Sequence, residues 1–245
     1  MLKADERIDQ LYSQTIQIIQ SPSVFSFSLD AVLLADFAVI KAHSKTVDLC
    51  AGNGAVSLFL SGKTTGPIAA IELQPRLADM AQRSVALNQL TAQISVYQMD
   101  LKDTFTKIAK DSVDVVTCNP PYFPPLATSK KNPNPYLAIA RHEIATSLEE
   151  ILKITSGLLK MNGKAFFVYR PDRFNEFVTK AAAWRLETKR VRFIHPKADR
   201  EANMVLIELI KDGRPGGQRF LPPITVYDQN NHYLPEVRRL LYGSD

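Results

Sequence analysis

Cysteine is scarce in this chain. The 245 residues hold two, Cys50 and Cys118, each at the end of an apolar run and neither in a CxxC pair. That excludes a disulfide framework and a thiolate metal cluster. Four histidines, His43, His142, His195 and His232, are scattered without ligand spacing, so no metal site is expected. Long apolar runs are missing too. A membrane-spanning helix needs roughly 18 or more consecutive apolar residues, and the best candidate, Ala31 to Ile40, is broken by Asp36. The opening residues, Met1-Leu2-Lys3-Ala4-Asp5-Glu6-Arg7, are charged and have no secretory core. Internal repeats and low-complexity tracts are absent. With 45% hydrophobic residues there is material for a sizeable core, and the chain reads as cytoplasmic, with neither a membrane nor a metal as partner.

What is present is an alternation of strand and helix patterns. Strands are predicted near 45–50, 68–72, 94–98, 113–118 and 164–169, and helices near 55–61, 75–89, 147–160 and 172–184. Gly157 interrupts the third of these helices. Two further strands, near 187–194 and 203–210, follow without a helix between them and should pair as an antiparallel hairpin. Before the core, 15–20 and 24–27 flank Ser21-Pro22-Ser23 as a plausible hairpin. A helix follows over 29–41, with Ser28 as a candidate cap. After the core, Ile224 to Tyr227 suits a short edge strand and Leu234 to Tyr242 a terminal helix. The pattern predicts an α/β fold, a doubly wound and mostly parallel sheet. It makes one domain over 1–245, divided into an N-terminal extension (1–43), a core (44–212) and a tail (213–245).

Four strand ends carry chemistry. Val47-Asp48-Leu49-Cys50-Ala51-Gly52-Asn53-Gly54-Ala55-Val56 reads as strand, glycine turn and helix start, and the glycines let a ligand approach the backbone at a helix N-terminus. Glu72 ends the next apolar run, about 20 residues on, where α/β nucleotide sites hold a ribose. Asp100 ends a third run and can accept from an adenine amine. The most informative stretch is Asn119-Pro120-Pro121-Tyr122. Adjacent prolines cannot continue a central strand, so the chain leaves the sheet stiffly at the edge where such folds bind ligands. The Asn119 amide oxygen and the Pro120 carbonyl can each accept a hydrogen from a planar amine, and Tyr122 offers a face on which a flat base can stack. The alternative is a rigid turn with no chemistry.

Taken together, these motifs resemble class I S-adenosylmethionine-dependent methyltransferases that methylate amines. The resemblance implies a Rossmann-like seven-stranded sheet ending in the antiparallel hairpin. It implies S-adenosylmethionine as cofactor, held by Asp30, Asp48, Gly52, Asn53, Gly54, Glu72, Asp100, Leu101 and Asn119, with Asn119, Pro120 and Tyr122 at the acceptor amine. Cys50 is a departure, since this family more often has glycine there. Glu6-Arg7-Ile8-Asp9, the run from Phe25 to Ala35, Arg141-His142-Glu143 and the run from Arg200 to Glu208 narrow the likeness. They resemble bacterial methyltransferases of tRNA adenine N6 that act beside the anticodon of a valine tRNA. The likeness covers roughly residues 5 to 242.

Charge is uneven. Between Lys180 and Arg200 stand Lys180, Arg185, Lys189, Arg190, Arg192, Lys197 and Arg200, opposed by Glu187 and Asp199, an excess of five that equals the net +5 of the whole chain. Clustered basic groups near a base-modifying site suit a phosphate backbone; an ordinary solvated face is the other reading. Nucleic acid, with tRNA foremost, is the expected partner, through Lys130, Lys131, Arg141, Arg190, Arg192, Lys197 and Arg200. Lys130, Lys131 and Arg141 belong to the long polar, proline-rich segment 124–141. It is either a binding loop, expected to be mobile without substrate, or a plain connection.

Rival functions remain. Methylation of ribosomal guanine, DNA adenine or protein glutamine uses similar chemistry. A DNA enzyme usually adds a recognition domain and a glutamine enzyme a preceding helical domain, for which 245 residues leave little room. A noncatalytic RNA-binding module would be expected to have lost Asn119 or the glycine turn. A nicotinamide dehydrogenase would want a third glycine where Ala55-Val56-Ser57 stands.

Overall fold

The structure, a computed structural model, describes residues 2–11, 16–24, 29–121 and 146–243. Tyr122, Lys130, Lys131, Arg141, Ser28 and the segment 124–141 lie outside them. The core strands in chain order are β3 (Thr46–Leu49), β4 (Ile68–Glu72), β5 (Ile94–Gln98), β6 (Val113–Cys118), β7 (Leu159–Tyr169), β8 (Leu186–His195) and β9 (Met204–Lys211). They line up as β8-β9-β7-β6-β3-β4-β5. Neighbours are parallel from β7 to β5, while β9 runs antiparallel to both β7 and β8. This is the mostly parallel sheet and terminal hairpin that the pattern predicts. Two short strands, β10 (Arg219–Phe220) and β11 (Ile224–Thr225), lengthen it by pairing in parallel along β8.

Both faces are covered, which is why the strands read as near-continuous apolar runs. On one face lie α1 (Leu29–Phe37), α2 (Ala55–Ser61) and the terminal α6 (Pro235–Tyr242), packed over Phe166, Val168, Ile194 and Leu206. On the other lie α4 (Leu148–Leu158) and α5 (Phe174–Ala183), over Val47, Leu49, Val116, Cys118 and Phe167. The remaining helix, α3 (Pro75–Leu87), follows β4 and carries the N-terminal hairpin on its flank.

That hairpin lies upstream of the expected one, whose second strand, 24–27, falls mostly outside the described residues. Its strands are β1 (Arg7–Leu11) and β2 (Ile16–Gln20), antiparallel from Arg7↔Gln20 to Leu11↔Ile16. Ser21-Pro22-Ser23 therefore follows the hairpin instead of turning it. α3 and its C-cap hold this hairpin: Asn88 and Ser84 bond the backbone of Gln17 and Ile19, and Arg83 makes a two-armed ion pair with Glu6 (2.7 Å each). Helix α1 stops at Phe37, short of the predicted 41. Lys63 Nζ takes the carbonyls of Ala35, Asp36 and Ala38 at 2.6, 2.8 and 3.3 Å, which caps the helix from outside. Gly157 is tolerated inside α4 because a Cβ there would stand 2.7 Å from the ring of Phe105.

Candidate active site

Parallel pairing brings the motif residues to one level. Leu49 of β3 lies opposite Ile71 of β4 and Cys118 of β6. One residue beyond that row stand Cys50, Glu72 and Asn119, at the carboxyl ends of three adjacent strands. Asp100 follows the next strand over, β5, whose Gln98 pairs with Glu72. A row at adjacent strand ends places neighbouring groups about 5 Å apart.

The glycine turn is built as its composition requires. Gly52 has φ +58 and Gly54 φ +86, both in the left-handed region that L side chains rarely adopt. Gly54 is the N-cap of α2, and a Cβ on it would meet Ala81 Cβ at 3.2 Å. Among the described residues, nothing lies within 4 Å of where a Cβ on Gly52 would stand. That open space lets a ligand sit against the backbone of the turn. Glu72 closes the turn from β4: its Oε2 accepts from the Gly52 amide and its Oε1 from the Gln74 amide, each at 2.8 Å. It is almost fully buried, and burial raises its pKa against these two amides.

Asp48 lies beneath the turn. Its Oδ2 accepts from Ser57 Oγ and its Oδ1 from Thr117 Oγ1, both at 2.8 Å. Burial pushes its carboxyl up to about 6, with the two hydroxyl bonds pulling the other way. It thereby ties α2, through Ser57, to β6 two residues before Asn119. Asn53 is also buried, and its Nδ2 donates to the Ile19 carbonyl of β2 (3.2 Å), fastening the turn to the N-terminal hairpin. Asp30, near the start of α1, is buried; its Oδ1 accepts from the Ala31 amide. Asp100 is half-buried and accepts from the Lys102 amide at 3.0 Å, capping the 3-10 turn Leu101–Thr106, whose first residue, Leu101, is buried. Asn119 is half-buried, and Pro120 and Pro121 are buried behind it. Ser57 and Thr117 are linking residues that the sequence reading missed. Their hydroxyls sit in apolar runs, and only the position of Asp48 between two elements shows their use.

The basic segment behaves differently from its expectation. Arg190, proposed from sequence for substrate, turns inward: it pairs with the buried Glu208, donates to the Phe37 carbonyl (3.0 Å) and lies 4.6 Å over the Phe37 ring. Arg192 bonds the Pro222 carbonyl (2.9 Å) and Glu236 (2.8 Å), holding the tail to β8. The strand points both toward the α1 and α6 layer, where partners were already waiting. Lys197, half-buried, reaches the Gln229 carbonyl at 3.0 Å. Arg200 is exposed in the turn between β8 and β9. That turn lies on the same sheet edge as Asn119, three strand spacings away, roughly 14 Å.

Among the described residues, no helix is long and apolar enough to cross a membrane and no cluster of His, Cys, Asp or Glu could hold a metal.

Comparison with known proteins agrees with this architecture. A family model described as "Methyltransferase small domain" matches residues 15–173, more than half of the chain. A tRNA1(Val) (adenine(37)-N6)-methyltransferase of Bacteroides thetaiotaomicron is 29% identical over 223 residues, 88% of this chain and 84% of that protein. The protein of the same description from Porphyromonas gingivalis is 24% identical over 235 residues, 91% and 89% of the two chains. Among solved structures, a predicted O-methyltransferase, protein Atu636 from Agrobacterium tumefaciens, superposes with a TM-score of 0.68 at 22% identity. It covers 87% of this chain and 96% of that one. Pyrococcus horikoshii TYW2 in complex with MeSAdo gives 0.61 at 16% identity, covering 87% and 74%. The chain is an S-adenosylmethionine-dependent methyltransferase, and it belongs to the methyltransferase small domain family.

Proposed function

We propose that this enzyme methylates the exocyclic N6 amine of an adenine in tRNA, at the position beside the anticodon. The observation that carries the reading is the place of Asn119-Pro120-Pro121: one strand over from the glycine turn, level with Glu72, with Asn119 half-exposed on a backbone that two prolines stiffen.

S-adenosylmethionine supplies an electrophilic methyl group on a sulfonium. The residues present fit it. The open face of Gly52 admits the cofactor against the backbone, Glu72 stands where a ribose is held, and Asp100 stands beyond it for the adenosine amine. Asn119 Oδ1 and the Pro120 carbonyl accept the two hydrogens of the acceptor amine, which turns the nitrogen lone pair out of the ring plane toward the methyl carbon. Tyr122, next in the chain, stacks on the base. Orientation with reacting atoms about 3 Å apart supplies most of the acceleration, so no covalent nucleophile is needed. The amine proton leaves to water after transfer.

Specificity for tRNA is supported by the descriptions of relatives at 24% and 29% identity. Arg200 and Lys197, on the same edge as Asn119, are suited to phosphates about four stacked nucleotides from the target base. Lys130, Lys131 and Arg141 complete the proposed RNA contacts from the segment that follows the tetrapeptide. The decisive experiment offers labelled cofactor to total RNA, total DNA and protein extract, followed by nucleoside and amino-acid analysis. Label in N6-methyladenosine of the tRNA fraction is the expected outcome; label in DNA or protein alone would sink the reading.

A further inference from the structure

Both cysteines of the chain meet inside this site. Cys50 directly precedes Ala51-Gly52 of the cofactor turn, and Cys118 directly precedes Asn119. Leu49 and Cys118 are paired residues of β3 and β6, so their side chains share one face of the sheet, the one covered by α4 and α5. Strict alternation would send Cys50 to the opposite face, with Asp48 and Ser57. It does not go there. Cys50 has φ 56, a left-handed conformation unusual for a side-chain-bearing residue, and it packs in the same apolar cluster as Leu49 and Cys118. Burial of Cys118 and the neighbouring Cys50 thiol both raise the Cys118 pKa. One strand spacing and one residue of rise separate the two backbones by about 5.8 Å, within the roughly 4.4–6.8 Å that disulfides span.

We propose that Cys50 and Cys118 form a reversible oxidation site, closing to a disulfide that ties the cofactor turn to the Asn119 turn and disables cofactor binding. The oxidant class is a peroxide. Cys50 is the half-exposed partner and reacts first. Its sulfur attacks one peroxide oxygen, an S–O bond forms, the O–O bond breaks, and the departing oxygen leaves as water. Cys118 is fully buried, and burial holds its thiol well above the usual range, so it stays reduced until Cys50 is oxidised. The Cys118 sulfur then attacks the sulfenic sulfur; the S–S bond forms, the S–O bond breaks, and the hydroxyl leaves as water with the Cys118 proton. Two thiols lose two electrons, and one hydrogen peroxide becomes two waters.

Closure must draw the two sulfurs together to about 2.0 Å. The shift falls on residues one and two positions from Asn119 and Gly52, and displacements of about 1 Å in such sites cost on the order of 10²-fold.

The test treats the full-length protein with stoichiometric hydrogen peroxide, maps peptides without reduction, and titrates S-adenosylmethionine before and after dithiothreitol. Neither readout depends on the substrate named above. A joined peptide carrying Cys50 and Cys118 is expected, with an affinity loss of at least about tenfold that dithiothreitol reverses. Cys50→Gly and Cys118→Ala should each abolish the joined peptide, and peroxide should leave each variant's affinity where it began. Oxidation that stops at a Cys50 oxyacid, or a joined peptide with unchanged affinity, overturns the proposal.

Discussion

Two stretches of the same sheet edge handle their charges in opposite ways. At the ends of β3 and β4, Asp48 and Glu72 are buried acids with no basic partner among the described residues, held by two hydroxyls and two backbone amides. Three strands from Asn119, the guanidinium groups of β8 are engaged by the protein itself, Arg190 by Glu208 and Arg192 by Glu236. The first arrangement leaves carboxylates costly to ionise, beside a turn with open space for a ligand. The second converts an apparent stripe of positive charge into internal joints, leaving Arg200 and Lys197 as its outward representatives. Counting charges along a strand overstates what a partner meets, because pairing across layers spends them first.

The comparison can be broken most sharply at Asn119. Asn119→Ala should lower turnover by about 10²-fold or more while S-adenosylmethionine affinity, by calorimetry, stays within a few-fold. Near-normal turnover would remove the tetrapeptide from the chemistry. The next effect separates the two kinds of arginine. Arg190→Ala leaves Glu208 buried with Lys164 alone, 3.1 Å away, and should cost about 3 kcal/mol in a denaturant titration. Arg200→Ala should change stability by less than about 0.5 kcal/mol but weaken RNA binding and flatten its salt dependence by about one unit of slope. If Arg190→Ala instead kept full stability and lost RNA affinity, the contrast would be reversed.

A further effect lies in the pH dependence. Folding raises the Asp48 carboxyl from its ordinary value to about 6. Between pH about 4 and about 6 the folded chain keeps a proton that the unfolded chain has released, so this group's stabilising contribution is lost as pH rises through that window. The span amounts to at most about 3 kcal/mol. Asp48→Asn should remove that slope; an unchanged stability profile between pH 4 and 6 would contradict the burial argument.

Much of this site is legible from sequence because backbone chemistry is local. Gly52 and Gly54 announce positive φ, and Pro120-Pro121 announces the end of β6, whatever surrounds them. Glu72 follows from its place at a strand end. The β1–β2 hairpin was not foreseen because nothing local says that Arg83, Ser84 and Asn88, at the end of α3, receive it. The early stop of α1 depends likewise on Lys63, which lies beyond the helix in the chain.

By itself the sequence determined the order of the core strands and helices, the doubly wound plan, and which strand ends carry the glycine turn and the Asn119-Pro120-Pro121 turn. Periodicity, glycine and proline act through steric limits on each residue and its near neighbours. Tertiary structure alone decided that Asp48 joins Ser57 to Thr117, that Arg190 faces inward, and that Cys50 turns to meet Cys118. Those outcomes depend on which side chains the sheet brings face to face, and that is settled only when distant strands pair.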